Sequence, residues 1–112
     1  MQLVTAIVRP AKVTAVCDAL QSFGFQGMTV TETSGIGKQR GHTEMYRGAE
    51  YAPAFQPKTR IEVVVRDEDV VDVVEVICTV ASTGRVGDGK VWVTPIRDLV
   101  RIRTREHDDE AL

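Results

Sequence analysis

Thr83-Gly84-Arg85-Val86-Gly87-Asp88-Gly89-Lys90 is the stretch best equipped for chemistry. Its three glycines let a backbone approach a ligand closely and turn successive N–H groups toward an anion, and Lys90 adds a positive charge at the end. Gly84, Gly89 and Lys90 fit the phosphate-loop pattern G-x-x-x-x-G-K-[ST], but Val91 stands where the hydroxyl belongs. The same residues also read as a plain glycine-rich connection. Arg101 and Arg103 alternate with Val100 and Ile102, so a strand over 99–103 would send both guanidinium groups off one face. They suit either a fork for phosphate oxygens or a charged edge strand. At about 4 Å and an effective dielectric of 20, each cation contributes roughly 4 kcal/mol to a phosphate before desolvation. Glu62 interrupts an apolar run and needs a partner, for which Lys90 or a ribose hydroxyl would serve. His42 and His107 are isolated, and no Ser-His-Asp set, carboxylate pair or Cys-His nucleophile is visible, which argues against an efficient enzyme.

The elements that must position these groups follow from periodicity. Leu3–Val8 reads as a first strand, with Leu3 and Ile7 on one face and Val4, Ala6 and Val8 on the other. Pro10 opens a helix whose stripe is Val13, Val16, Cys17, Leu20 and Phe23, and Gly24 stops it. Gly27–Thr33 is a second strand and Arg60–Val65 a third. Asp67 is a natural N-cap for a second helix, whose apolar face is Val70, Val73, Val74, Ile77, Val80 and Ala81. Val91–Ile96 and Leu99–Arg103 follow as strands, and the acidic tail after Glu106 reads as mobile. The order β-α-β, long loop, β-α-β is the α+β, ferredoxin-like split βαβ arrangement with both helices on one face of the sheet. Its other face would be rich in valine, which predicts a symmetric oligomer that covers it.

The chain has 112 residues, enough for one domain spanning 1–112 and too few for two. Its hydrophobic content of 43% and charged content of 27% are those of a soluble globular protein. A net charge of -2 argues against nucleic acid and against direct binding to an anionic membrane. No apolar run approaches spanning length and no leader is visible, which predicts a cytoplasmic protein. Cys17 and Cys78 read as reduced residues on apolar helix faces. The stretch of about 37–55 has neither period, and its few apolar anchors cannot offset the cost of ordering it. It reads as a mobile arm whose shape carries a message, or as a tolerated insertion.

Tyr46-Arg47-Gly48-Ala49-Glu50-Tyr51 resembles the modification-site signature of the PII nitrogen-regulatory signal-transduction proteins of the GlnB/GlnK type. Thr83 to Val93 is similar to that family's second signature, and Gly27–Glu32 and Arg101–Thr104 match as well. The resemblance spans essentially the whole chain. It implies a homotrimer with ATP or ADP in clefts between subunits. A phosphate loop at about 82–90, including Thr83, Gly84, Gly87, Asp88, Gly89 and Lys90, would work with Arg101 and Arg103 of a C-terminal segment at about 98–112 from the adjoining subunit. Ile7, Gly27, Met28, Thr29, Gly35, Gly37, Glu62 and Val64 would hold adenine and ribose. Mg²⁺ on the ATP, joined by Gln39, would complete a site for 2-oxoglutarate made with Arg9, Gly37, Lys38, Gly41 and Lys58.

The resemblance also implies partners: an ammonium channel (and through it the membrane), a glutamine-synthetase-modifying enzyme and a sensor kinase. Tyr51 matches the tyrosine that a nucleotidyltransferase modifies; uridylylation, adenylylation and no modification stay open. Against the usual pattern, Arg9 replaces Lys, Ala11 replaces Phe, and Arg105 replaces a frequent Gly. Two other functions are consistent with the residues: a slow ATPase or phosphotransferase at the same nucleotide site, and a ferredoxin-like trimer that passively binds a metal or small molecule.

Overall fold

A computed structural model describes residues 1–37, 45–46, 49–50 and 54–112. The elements are β1 (Gln2–Val8), α1 (Val13–Ser22), β2 (Thr29–Gly35), β3 (Met45–Tyr46), β4 (Ala49–Glu50), β5 (Gln56–Val65), α2 (Val70–Ala81) and β6 (Gly89–Pro95). The main sheet has the order β2-β5-β1-β6 with antiparallel neighbours, and β3 pairs β4. This is the ferredoxin-like arrangement expected from the sequence. The expected arm of about 37–55 lies mostly outside the described residues.

Alternation along β1 and β5 decides what each face of the sheet carries. Val4, Ala6, Val8, Ile61, Val63 and Val65 turn inward and meet Val16 and Leu20 of α1 and Val73, Ile77 and Ala81 of α2. Burying a side chain of this size stabilises by about 1.5–3 kcal/mol, which is why a valine-rich segment of modest propensity holds the α2 helix. The opposite face carries Leu3, Thr5 and Ile7 of β1, Lys58, Arg60, Glu62 and Val64 of β5, and Lys90, Trp92 and Thr94 of β6, by register. It is therefore mixed apolar and charged, and not valine-rich.

Several local expectations are corrected. Phe23 is the C-cap of α1 and is 66% exposed, because the helix ends there and Gly24 turns the chain at φ 94°. Cys78 is exposed and Cys17 half-buried, and both are free. Asp67 does not cap α2: it accepts hydrogen bonds from the Met1 amine at 2.9 Å and Gln2 Nε2 at 3.0 Å and opens a 3₁₀ turn, Asp67–Asp69. The amine holds its carboxyl below the ordinary value. Leu99–Arg103 is not a strand. A single bridge joins Val100 to His107, Arg105 N donates to Arg101 O at 2.7 Å, and Asp108 N donates to Leu99 O at 2.8 Å. Arg105 (φ 61°) and Asp108 (φ 54°) take left-handed conformations that fold the chain back on itself. The acidic tail is thereby ordered, ending in a 3₁₀ turn over Asp108–Ala111.

Candidate functional site

The glycine-rich connection leaves α2 at Ser82 and enters β6 at Gly89. Gly89 is obligatory there. A Cβ on it would lie 1.7 Å from the Ile7 carbonyl oxygen of the paired strand, and its φ is 104°. Gly84 and Gly87 also have positive φ, which gives the loop its tight path.

The loop's donors do not all face outward. Thr83 N and Gly84 N donate to Asp88 Oδ2 at 2.8 and 3.0 Å, Thr83 Oγ1 donates to Asp88 Oδ1 at 2.5 Å, and Arg85 N donates to Thr83 Oγ1. The protein's own carboxylate thus fills the first part of the anion nest. The Thr83 hydroxyl, followed by its N–H, is the main reason that Asp88 stays ionised far below the usual carboxylate range. Val86 N and Gly87 N have no partner among the described residues.

Two cations reach this loop from distant strands. Arg9 follows β1 in extended conformation and donates through Nε to Asp88 Oδ1 at 3.0 Å and through Nη2 to Val86 O at 2.9 Å. Lys58 of β5 donates through Nζ to Gly87 O. Burial and then the neighbouring Arg9 charge push the Lys58 pKa down, with Asp88 acting in the opposite direction. Continuing the alternation of β1 and β5, Arg9 and Lys58 leave the open face at the same end of the sheet.

The predicted site residues fall into two groups on this chain. Ile7, Asp88, Gly89 and Lys90 line a pocket of about 230 Å³ beside α2. Gly27, Val64 and Arg101 line a separate cleft of about 810 Å³, together with Phe23, Phe25 and Leu112. Ile7 pairs with Arg60 and Leu3 with Val64, so the groups lie about 14 Å apart along the strands at about 3.4 Å per residue. Met28 is half-buried against the core, whereas Thr29 opens β2. Gly35 ends β2 with Lys58 Cγ 3.6 Å from where its Cβ would stand, and Gly37 follows, exposed. Glu62 is paired with Arg60 at 3.4 Å and not with Lys90, because Arg60 sits two residues away on the same face.

Arg101 and Arg103 do not present a common face. Arg101 binds Glu106 at 3.3 Å and the Leu112 carbonyl at 2.6 Å, while Arg103 lies exposed in the turn. Lys38, Gln39, Gly41, Arg47 and Tyr51 lie outside the described residues. The Arg9–Asp88 pair was not legible from sequence, since 79 positions separate its members.

The sequence model of the family described as "Nitrogen regulatory protein P-II" matches residues 1–106. The chain is 47% identical over 112 residues to nitrogen regulatory protein GlnK of Escherichia coli (strain K12), covering 100% of both chains. It is 50% identical to nitrogen regulatory protein P-II of Azospirillum brasilense, again over 112 residues and 100% of both. The Rhizobium etli P-II protein is 53% identical over the same length and coverage.

Proposed function

This chain belongs to the nitrogen regulatory protein P-II family, and from that premise we propose that it reads adenine nucleotide and 2-oxoglutarate together. The family consists of signal transducers and not enzymes, so the slow ATPase reading is set aside. ATP or ADP would lie with its phosphates against the loop ending at Gly89 and Lys90. Adenine and ribose would lie against Gly27, Met28, Thr29, Glu62 and Val64, and Arg101 and Arg103 would be supplied by a second copy. What supports a site shared between copies is the division of these residues into two groups on one chain. A homotrimer would also cover the exposed Trp92 and the partly exposed Leu3, Ile7 and Val64 of the open face.

The observation that carries the reading is the convergence of Arg9 and Lys58 on residues 86–88 of the loop. Two cations beside a glycine-rich connection suit a dicarboxylate adjoining a polyphosphate. The Val86 and Gly87 N–H groups and the exposed Lys90 fit the phosphate end. Mg²⁺ would neutralise phosphate charge and bind the keto-acid, with Gln39 as its protein ligand. Lys38 and backbone groups from Gly37 to Gly41 would complete the effector site. 2-Oxoglutarate there would bias the segment that starts at Gly37, through which the protein, itself cytoplasmic, would control nitrogen-assimilation partners: an ammonium channel, a glutamine-synthetase-modifying enzyme or a sensor kinase. Modification of Tyr51 would act on the same contact.

Calorimetry tests this directly. 2-Oxoglutarate should bind only when ATP and Mg²⁺ are both present. Equal binding to the ligand-free protein would contradict the reading.

A further inference from the structure

The geometry points to Asp88 and Arg9 as positioning residues that strap the phosphate loop to the effector cation, so that nucleotide and dicarboxylate bind as one cooperative unit. This rests on the function proposed above. It adds a role for the Asp88 side chain and a reason for arginine, in place of lysine, at position 9.

The Asp88 carboxylate is saturated. Oδ1 accepts from Arg9 Nε and Thr83 Oγ1, and Oδ2 accepts from Thr83 N and Gly84 N. A carboxylate offers about four lone-pair sites, so none remains for a ribose hydroxyl or a metal ion. Its side chain therefore acts on a ligand only through the loop that it shapes.

Three of those donors belong to the loop, and the fourth comes from the opposite end of the sequence. The edge of Arg9 formed by Nε and Nη2 holds Asp88 and the Val86 carbonyl, while Nη1 has no partner among the described residues. A guanidinium is a rigid planar fork. Fixing one edge on the loop therefore fixes where the other end points. A lysine ammonium is a single nitrogen on a flexible stem, and it cannot hold a carboxylate and a carbonyl while presenting a second oriented edge. Lys58 on the Gly87 carbonyl completes the strap, so that three successive loop residues are held from the sheet. Ordering the loop with nucleotide orients Arg9 for the dicarboxylate, and engaging Arg9 orders the loop.

Two measurements on the full chain test this. In the ligand-free protein, Arg9→Lys and Asp88→Asn should speed amide exchange at Thr83 and Gly84 by about tenfold, as expected for loss of a charge-assisted hydrogen bond. Thr83→Val should act likewise, and Thr83→Ser should restore the slow exchange. Exchange unchanged in Arg9→Lys and Asp88→Asn overturns the proposal. In the second measurement, the affinity for Mg-ATP is read with and without saturating 2-oxoglutarate. The coupling factor should fall at least about fivefold in Arg9→Lys, and Arg9→Lys/Asp88→Asn should lose little more than either single change. Undiminished coupling in Arg9→Lys overturns it as well. If the wild type binds neither ligand, the functional reading falls, and the exchange data alone decide whether the strap exists.

Discussion

The glycine-rich loop and the C-terminal segment were both expected to supply phosphate-binding groups, yet they are held in opposite ways. Residues 83–88 are tied to the body of the protein: Gly89 is wedged against Ile7, Arg9 grips Asp88 and Val86, and Lys58 grips Gly87. The segment after Leu99 is tied mainly to itself, through the Val100–His107 bridge and the contacts of Arg101 with Glu106 and Leu112. A loop braced from several elements is pre-organised for a ligand. A self-contained turn can present Arg103 to a neighbour without disturbing the core.

The largest effect should come from Gly89. Gly89→Ala places a methyl group into the β1 backbone and should cost about 3 kcal/mol or more of folding stability, read by urea denaturation. A loss below about 1 kcal/mol would show that the loop is not wedged as described. Next, Lys58→Met keeps much of the side-chain bulk and removes the grip on Gly87. It should abolish 2-oxoglutarate binding in calorimetry and speed exchange in the loop, while leaving exchange at Arg101 and Arg105 unchanged.

Acid separates the two regions further. The folded-state pKa of Asp88 is lowered, so its contribution is present above the ordinary carboxylate value of about 3.9 and is lost as pH falls through the lower folded value. Loop amides should keep their protection at about pH 5 and lose it only in stronger acid. Loss of protection already near pH 5 would contradict the saturated carboxylate. The smallest effect is at Arg105, whose φ of 61° is one that L-residues adopt at a cost. Arg105→Gly should stabilise the C-terminal turn by up to about 1 kcal/mol without changing exchange in the loop.

Periodicity made the scaffold legible. Val4, Ala6 and Val8 alternate, and Val16 and Leu20 repeat at helical spacing, so their burial follows from local pattern alone. The same logic overreached where apolar residues outnumber buried positions. α2 buries Val73, Ile77 and Ala81, and Cys78, read as lying on an apolar helix face, is on the surface. Alternation of Val100, Arg101, Ile102 and Arg103 suggested a strand, but the left-handed residues at 105 and 108 return the chain on itself, and among the described residues no sheet edge pairs with it. In the site, glycine spacing marked the loop, whereas Lys58 and Arg9 were marked only by the family resemblance. That Asp88 turns inward could not be read, because its fourth donor is contributed by a residue 79 positions away.

The most direct test of a nucleotide site divided between copies is complementation. Lys90→Ala and Arg103→Ala should each weaken ATP binding when present alone. Unfolding the two variants together and refolding them as a mixture should restore about a quarter of the sites in random trimers, because such an interface joins one intact loop to one intact arginine. No recovery on mixing would show that both groups serve a single chain, and would contradict the account.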